Sequence, residues 1–218
     1  MSSLIQYAPL LLQGSLVTVA AWAVASSISI IVGTVLGIWG CRLLTNPFSS
    51  RSITLYAFIA KGIPAYVQIL IAYFVIPAYV GITISGFFAA TLALAFSSSG
   101  YVTEIIRSGI DVIPQGQWDA AFVLGYSRTQ TLRRIIIPQL RRISIPALLG
   151  ESEQLLKSTS LLATIGVTDL TRAGMNIISR ELNPLTVYLL IAVIYLLFAA
   201  CIHGGLALVM RRSCYDYR

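Results

Sequence analysis

The sequence predicts an all-α, polytopic membrane protein with about five transmembrane helices, and three observations carry that prediction. Hydrophobic residues make up 57% of the chain while charged residues make up only 11%. The mean hydropathy is +0.83, and long apolar runs recur between short polar breaks. A water-soluble domain of this composition would be left with too little polar surface. The 218 residues hold roughly five or six spans of ~20 residues with their connections, and no sizeable soluble domain beside them. The whole chain, residues 1–218, therefore reads as one transmembrane domain.

The elements follow in order. An uncharged lead containing Pro9 precedes a first span over about 14–41, in which Gly33, Gly37 and Gly40 with Ser26, Ser27 and Ser29 supply small faces for close helix packing. Gly33 and Gly37 form a GxxxG, whose expected use is packing within the chain. A polar break with Arg42, Asn46, Pro47 and Arg51 leads to a second span over about 52–76. Inside it, Lys61, Pro64 and Gln68 are costly together, because proline frees a backbone carbonyl and the lysine needs a partner or a route to the surface. A kinked helix and a functional station fit this stretch equally.

The third span, about 87–106, ends in Ser97-Ser98-Ser99-Gly100-Tyr101-Val102-Thr103-Glu104, which is too polar along one face for lipid and calls for protein or a watery cavity. Glu104 and Arg107, three apart, are expected to pair. A fourth span over about 143–167 carries Glu151, Glu153, Lys157, Ser158 and Thr159, so it must line a cavity or a subunit interface. Residues 168–184 read as an exposed connection with a short helix, and a fifth span covers about 185–210. The one histidine, His203, is expected to be a packed residue. Cys41, Cys201 and Cys214 are odd in number and widely separated, which argues for packing roles and against a disulfide framework or metal cluster. The first apolar stretch lacks a basic lead and a cleavage site, so it is expected to stay in the mature protein.

Between the third and fourth spans, residues 107–142 are too polar to cross a bilayer. Here Gln117 to Leu124 has an amphipathic helical pattern, with Trp118, Ala121, Phe122 and Gly125 on one face. Small residues at Ala120 and Ala121 suit a close approach, and Gly125 suits a positive-φ helix stop. A helix like this lies under a membrane or docks in a partner's groove. If this loop is cytoplasmic, alternate crossings place Arg42, Arg51, Arg211, Arg212 and Arg218 there too, leaving Arg172 and Arg180 outside, as the positive-inside rule requires. The N-terminus is then outside and the C-terminus inside, and the +7 charge is explained by topology and anionic lipid, with no nucleic-acid partner needed.

Written as a template, the loop is Asp119-Ala120-Ala121, three residues, Gly125, nine residues, Ile135, one residue, Ile137-Pro138. It resembles the EAA loop of ABC-importer permeases, with Asp119 in place of the usual glutamate. Lys61-Gly62-Ile63-Pro64-Ala65-Tyr66-Val67-Gln68 is similar to the RGTPLLVQ segment of polar amino-acid permeases. Lys157-Ser158-Thr159-Ser160-Leu161 and Ile165 to Ala173 resemble their KDTSL and IGVxELTRA segments. The resemblance covers about residues 52–185; where many relatives have Asn-Glu ahead of the lysine, this chain has Gly150-Glu151.

That resemblance implies a type I ABC-importer permease-like fold in a bacterial inner membrane, with ATPase-coupling residues Gln117, Trp118, Asp119, Ala120, Ala121, Gly125 and Ser127. It implies a substrate pathway drawn from Lys61, Gln68, Tyr101, Glu151, Glu153, Lys157, Ser158 and Thr159. Glu151 stands as a ligand for a substrate's cationic group or as a neutralising partner of Lys157, and Glu153 stands four residues before Lys157 in the favourable order. The implied partners are an ABC ATPase dimer that uses ATP and Mg, a second permease, an external solute-binding protein and a polar amino acid, basic ones included. No cofactor is expected on this chain itself: neither of its two lysines follows the glycine that a P-loop requires. An ion-coupled secondary amino-acid transporter, using Glu104, Glu151 or Glu153, is the alternative, and catalysis is not expected.

Overall fold

The computed structural model describes residues 6–41 and 46–215, with side chains through residue 205. All regular structure among the described residues is helical. Arg42 and Arg218 fall outside this range, as do the side chains of Arg211, Arg212 and Cys214.

Helix α1, Ala8–Trp39, opens with Pro9 in its first turn, where a missing N–H costs nothing. Its buried stripe recurs every three or four residues through Leu11, Gly14, Thr18, Ala21, Ala25, Ser29, Gly33 and Gly37. Small side chains dominate that stripe, so the backbone of α1 lies close to α4, Gly86–Asp111, around Gly33 and Gly37. A Cβ on Gly33 would meet Val102 Cβ at 2.5 Å and the Ser99 carbonyl at 2.9 Å; one on Gly37 would meet Ile106 Cβ at 2.7 Å. The GxxxG therefore serves packing within the chain, as its sequence reading anticipated. Dispersion and backbone proximity hold such an interface in lipid, where no hydrophobic gain separates one apolar neighbour from another.

The second expected span is two helices, α2 (Pro47–Gly62) and α3 (Ala65–Val80), bent by 94° at the Ile63–Pro64 break. Proline forces the break: its ring has no N–H for the Ala60 carbonyl four residues earlier. Gln68 takes over that duty, donating from Nε2 to the Ala60 carbonyl at 2.8 Å and to the Ile63 carbonyl at 2.7 Å. A π-helical turn, Ile71–Val75, then widens α3 ahead of Pro77. A kink is thus observed, far sharper than in a bent single span.

After α4 come α5 (Gln115–Val123) and α6 (Arg128–Thr131). A π turn, Leu132–Ile136, carries the chain into α7, Ile137–Ser158, which continues as a 3₁₀ segment, Thr159–Ile165, up to the left-handed Gly166. Three described helices, α1, α4 and the final α9 (Pro184–Tyr215), are long and apolar enough to cross a membrane, and the bent α2–α3 pair makes a fourth. Helix α7, in the place of the expected span over 143–167, is long enough but too charged to qualify by composition: Arg141, Arg142, Glu151, Glu153 and Lys157 all lie on it. It therefore depends on protein neighbours rather than lipid.

Residues 168–184 correct the expectation of an exposed connection. They form α8, Leu170–Glu181, whose Leu170, Ala173, Gly174 and Ile177 are buried against α1 and α9. Asp169 caps it by accepting from the Arg172 N–H at 2.9 Å and the Thr171 N–H at 3.2 Å. Thr18 of α1 accepts from the Leu170 N–H at 3.1 Å, tying α8 to the first helix. The strong i, i+3, i+4, i+7 apolar spacing was present in the sequence, but it was hidden by the polar residues between.

Candidate functional site

Two places on this frame carry the residues singled out from the sequence. The first is α5 at the end of the bundle. Trp118, only 2% exposed, and Ala121 turn inward onto a cluster with Ile113, Ile136 and Leu140. They anchor the helix to its own chain, so the close approach that Ala121 permits is to the protein's own core. Beyond Leu124, Gly125 adopts φ +81°; its N–H bonds the Phe122 carbonyl and the Tyr126 N–H bonds the Ala121 carbonyl, each at 3.0 Å. That paired closure is the Schellman stop which the left-handed glycine makes possible.

Ser127 then starts α6 through a reciprocal capping box with Gln130. Gln139 of α7 donates to Gln117, binding the start of α5 to the helix that follows. What remains outward is Asp119, which accepts from Gln115 at 3.2 Å, with Ala120, Gly125 and Ser127. Val123 and Leu124 stand 88% and 75% exposed beside them, an apolar tip that the template reading did not single out. Their signal was available: apolar residues directly before a glycine stop, with nothing in the helix for them to pack on.

The second place is a cavity of about 320 Å³ where the α2–α3 break meets α4 and α7. It gathers Lys61, Tyr101, Glu151 and Ser158 from the predicted pathway set, together with Ser98 and Gln154. Ser98 donates to Glu151 Oε1 at 2.7 Å, so Glu151 is held by a hydroxyl and not by Lys157. Lys157 pairs instead with Glu153 at 2.7 Å, as the four-residue spacing suggests.

Other members of the set lie elsewhere. Gln68 is buried and occupied with the break, and Thr159 is fully buried with its hydroxyl on the Leu156 carbonyl at 2.6 Å. Ser158, by contrast, stays in the cavity wall, where its hydroxyl donates to the Gln154 carbonyl at 3.0 Å.

Three expectations are corrected here. Glu104 and Arg107 do not pair: Glu104 meets Lys61, while Arg107 donates to Thr54 Oγ1 at 2.6 Å and reaches Ser50 Oγ at 3.5 Å. The sequence distance of three residues brought them to one face, but α2 packs over that face and offers partners to both. His203 is exposed rather than packed and lies 2.6 Å from Glu153 Oε2. Cys201 is exposed as well, whereas Cys41 is buried as expected.

Residues 29–213 match the family described as binding-protein-dependent transport system inner membrane component. Among curated proteins, the chain is 38% identical over 172 residues to the probable amino-acid ABC transporter permease protein YckA of Bacillus subtilis, covering 78% of this chain and 76% of that one. It is 32% identical over 195 residues to the arginine transport system permease protein ArtQ of the same organism, covering 89% and 88%.

A solved crystal structure of an amino acid ABC transporter with histidines superposes with a TM-score of 0.87 at 32% identity, over 96% of this chain and 97% of that one. An inward-facing MetNI methionine ABC transporter shares the fold, with a TM-score of 0.83 at 18% identity, over 94% of this chain and 97% of the other. An all-helical chain with apolar spans, a loop of EAA type carried on an anchored helix, and these likenesses agree: the protein belongs to the binding-protein-dependent transport system inner membrane component family, as a multi-pass permease subunit of the amino-acid ABC transporter kind.

Proposed function

We propose that this chain is one of two permease subunits of an ATP-driven importer and that it passes a polar amino acid inward through the cavity between α3, α4 and α7. The observation that carries the reading is the geometry of α5. A helix pinned from within by Trp118 and stopped by Gly125 presents Asp119, Ala120, Val123 and Leu124 on a rigid mount. Exposed apolar residues beside a carboxylate suit insertion into a groove of a partner protein, and a rigid mount transmits that partner's movement into α4 and α7. The partner in this reading is an ABC ATPase dimer, which binds and hydrolyses ATP with Mg. An external solute-binding protein delivers the substrate.

The orientation that fits places α5 in the cytoplasm with Arg128, Arg133, Arg134, Arg141 and Arg142, and the N-terminus outside. Arg172 and Arg180, on α8, are then external. Relatives named for arginine, glutamine and cystine support the amino-acid class. Glu151 in the cavity favours a substrate that carries a cationic group there. Vectorial movement requires that ATP favour one arrangement of the pair and that the loaded binding protein couple to that arrangement.

The test is reconstitution of the complex purified from its native membrane, comparing wild type with Asp119→Lys. A co-purifying ATPase and ATP-dependent uptake are expected for wild type. The variant should reach the membrane normally and lose both the ATPase and uptake. Uptake driven by an ion gradient with no nucleotide would overturn the reading in favour of a secondary transporter.

A further inference from the structure

Lys61 lies between two cavities. On one side is the 320 Å³ cavity with Glu151. On the other is a cavity of about 380 Å³, lined by Thr54, Phe58, Glu104, Arg107 and Asp111. Lys61 lines both, and its ammonium bridges to Glu104 at the boundary. Its position is set from three directions. The ammonium lies 5.7 Å from the centre of the Tyr101 ring. Its stem rests against Gly100, where an added Cβ would meet Lys61 Cγ at 3.2 Å. Its helix ends one residue later at Gly62, so the negative end of the α2 dipole also favours the cation.

The two partners differ in how firmly they are held. The Lys61 side chain is 24% exposed, whereas that of Glu104 is 60% exposed. One turn further along α4, Arg107 donates to the neutral hydroxyls of Thr54 and Ser50 among the described residues. Residues three apart on a helix are neighbours, so Arg107 is within reach of a Glu104 released from Lys61.

We propose that the Lys61–Glu104 pair is a carboxylate-exchange gate: the α-carboxylate of an amino acid bound beside Glu151 displaces Glu104 from Lys61, and Glu104 turns to Arg107. This rests on the Glu151 cavity being the translocation site. The exchange swaps one charge-assisted contact for another, so no half-buried charge is stranded. A solute with a cationic group but no carboxylate would have to draw Glu104 away and leave the half-buried Lys61 ammonium without a counter-charge. The gate thus selects for the zwitterionic head group that all α-amino acids share, and it leaves side-chain preference to Glu151 and the rest of the cavity.

The experiment uses the whole complex in proteoliposomes and in nanodiscs, with radiolabelled L-arginine, L-glutamine and L-cystine as probes. Lys61→Met is expected to lower uptake by about tenfold or more, the loss of one charge-assisted contact, while Lys61→Arg stays within about threefold of wild type. Glu104→Gln removes the competitor for Lys61. Binding of the transported amino acid to the nucleotide-free complex should therefore tighten by about threefold or more, where a merely structural pair would loosen it.

The exchanged double variant, Lys61→Glu with Glu104→Lys, keeps both charges and their attraction but moves the cation off the shared wall. It is expected to stay at least about tenfold below wild type. It also serves as the test if Lys61→Met fails to reach the membrane. Wild-type uptake by the exchanged variant, or weaker binding in Glu104→Gln, would overturn the gate. Absence of ATP-dependent uptake of any amino acid by the wild-type complex would instead refute the transport reading on which it stands.

Discussion

Replacing Gly33 and Gly37 together by alanine tests the claim that backbone proximity between α1 and α4 holds the bundle. The new methyl at position 33 would lie 2.5 Å from Val102 Cβ and 2.6 Å from Val102 Cγ1; that at 37 would lie 2.7 Å from Ile106 Cβ and 2.8 Å from the Thr103 carbonyl. Carbon atoms rest about 3.5–4.0 Å apart, so the helices must separate locally by roughly 1 Å. A rotamer change offers no escape, because the nearest atoms are Cβ atoms and backbone oxygens.

Overpacking of this kind costs about 1–3 kcal/mol per site, while alanine gains about 0.8–1.0 kcal/mol over glycine in helix propensity. At mid-range the pair loses about 4 and regains about 2 kcal/mol, a net loss of about 2 kcal/mol. For a chain of this size that corresponds to a fall in Tm of roughly 4–8 °C. Gly150→Ala is the matched control: beyond its own stretch of helix no described atom lies within 4 Å of its added Cβ, so only the propensity gain applies and Tm should rise by roughly 2–4 °C. Thermal scanning of detergent-solubilised protein by size-exclusion fluorescence reads both. A double variant as stable as wild type would refute the packing argument, since the added methyls would then meet no resistance from α4.

Further outcomes are expected at three positions. Gln68→Leu strips the donor from the buried Ala60 carbonyl and should lower stability by about 1–3 kcal/mol; wild-type Tm would show that Gln68 does not support the break. Asp169→Ala should cost about 1 kcal/mol through loss of the α8 cap, whereas Asp169→Asn keeps an acceptor.

Burial pushes the Asp169 carboxyl above its ordinary value of 3.8, so the ionised form is disfavoured in the fold and wild type loses stability as pH rises through the window above 3.8. Asp169→Asn should accordingly match or exceed wild type in Tm at neutral pH, with the difference vanishing once pH drops below 3.8; a cap equally strong at both pH values would contradict this. Glu151→Gln should reduce uptake of L-arginine about tenfold more than uptake of L-glutamine, as expected for one charge-assisted contact to a cation, and an equal loss for both would assign Glu151 to structure.

Much of this protein was legible in its residues, and the reasons are local. Apolar content fixed a polytopic helical chain because lipid admits only segments that satisfy their own backbone. The spacing from Asp119 through Pro138 identified α5 because a small-residue helix with a glycine stop is specified by near neighbours alone. Gly33 and Gly37 announced a close approach for the same reason, and Glu153 and Lys157 paired at helical distance without help from the rest of the fold.

What the tertiary structure decided was which partner each remaining polar group met. Glu104 had Arg107 in its own helix but found Lys61 on α2, and Gln68 gave its amide to the Ala60 carbonyl that Pro64 had freed. Residues 170–181 became buried because α1 and α9 arrived to cover their apolar face. Likewise, Trp118 turned inward while Val123 and Leu124 were left out. Helical periodicity depends on chain spacing alone, whereas choices between competing partners depend on which helices pack together, and that is a property of the whole sequence at once.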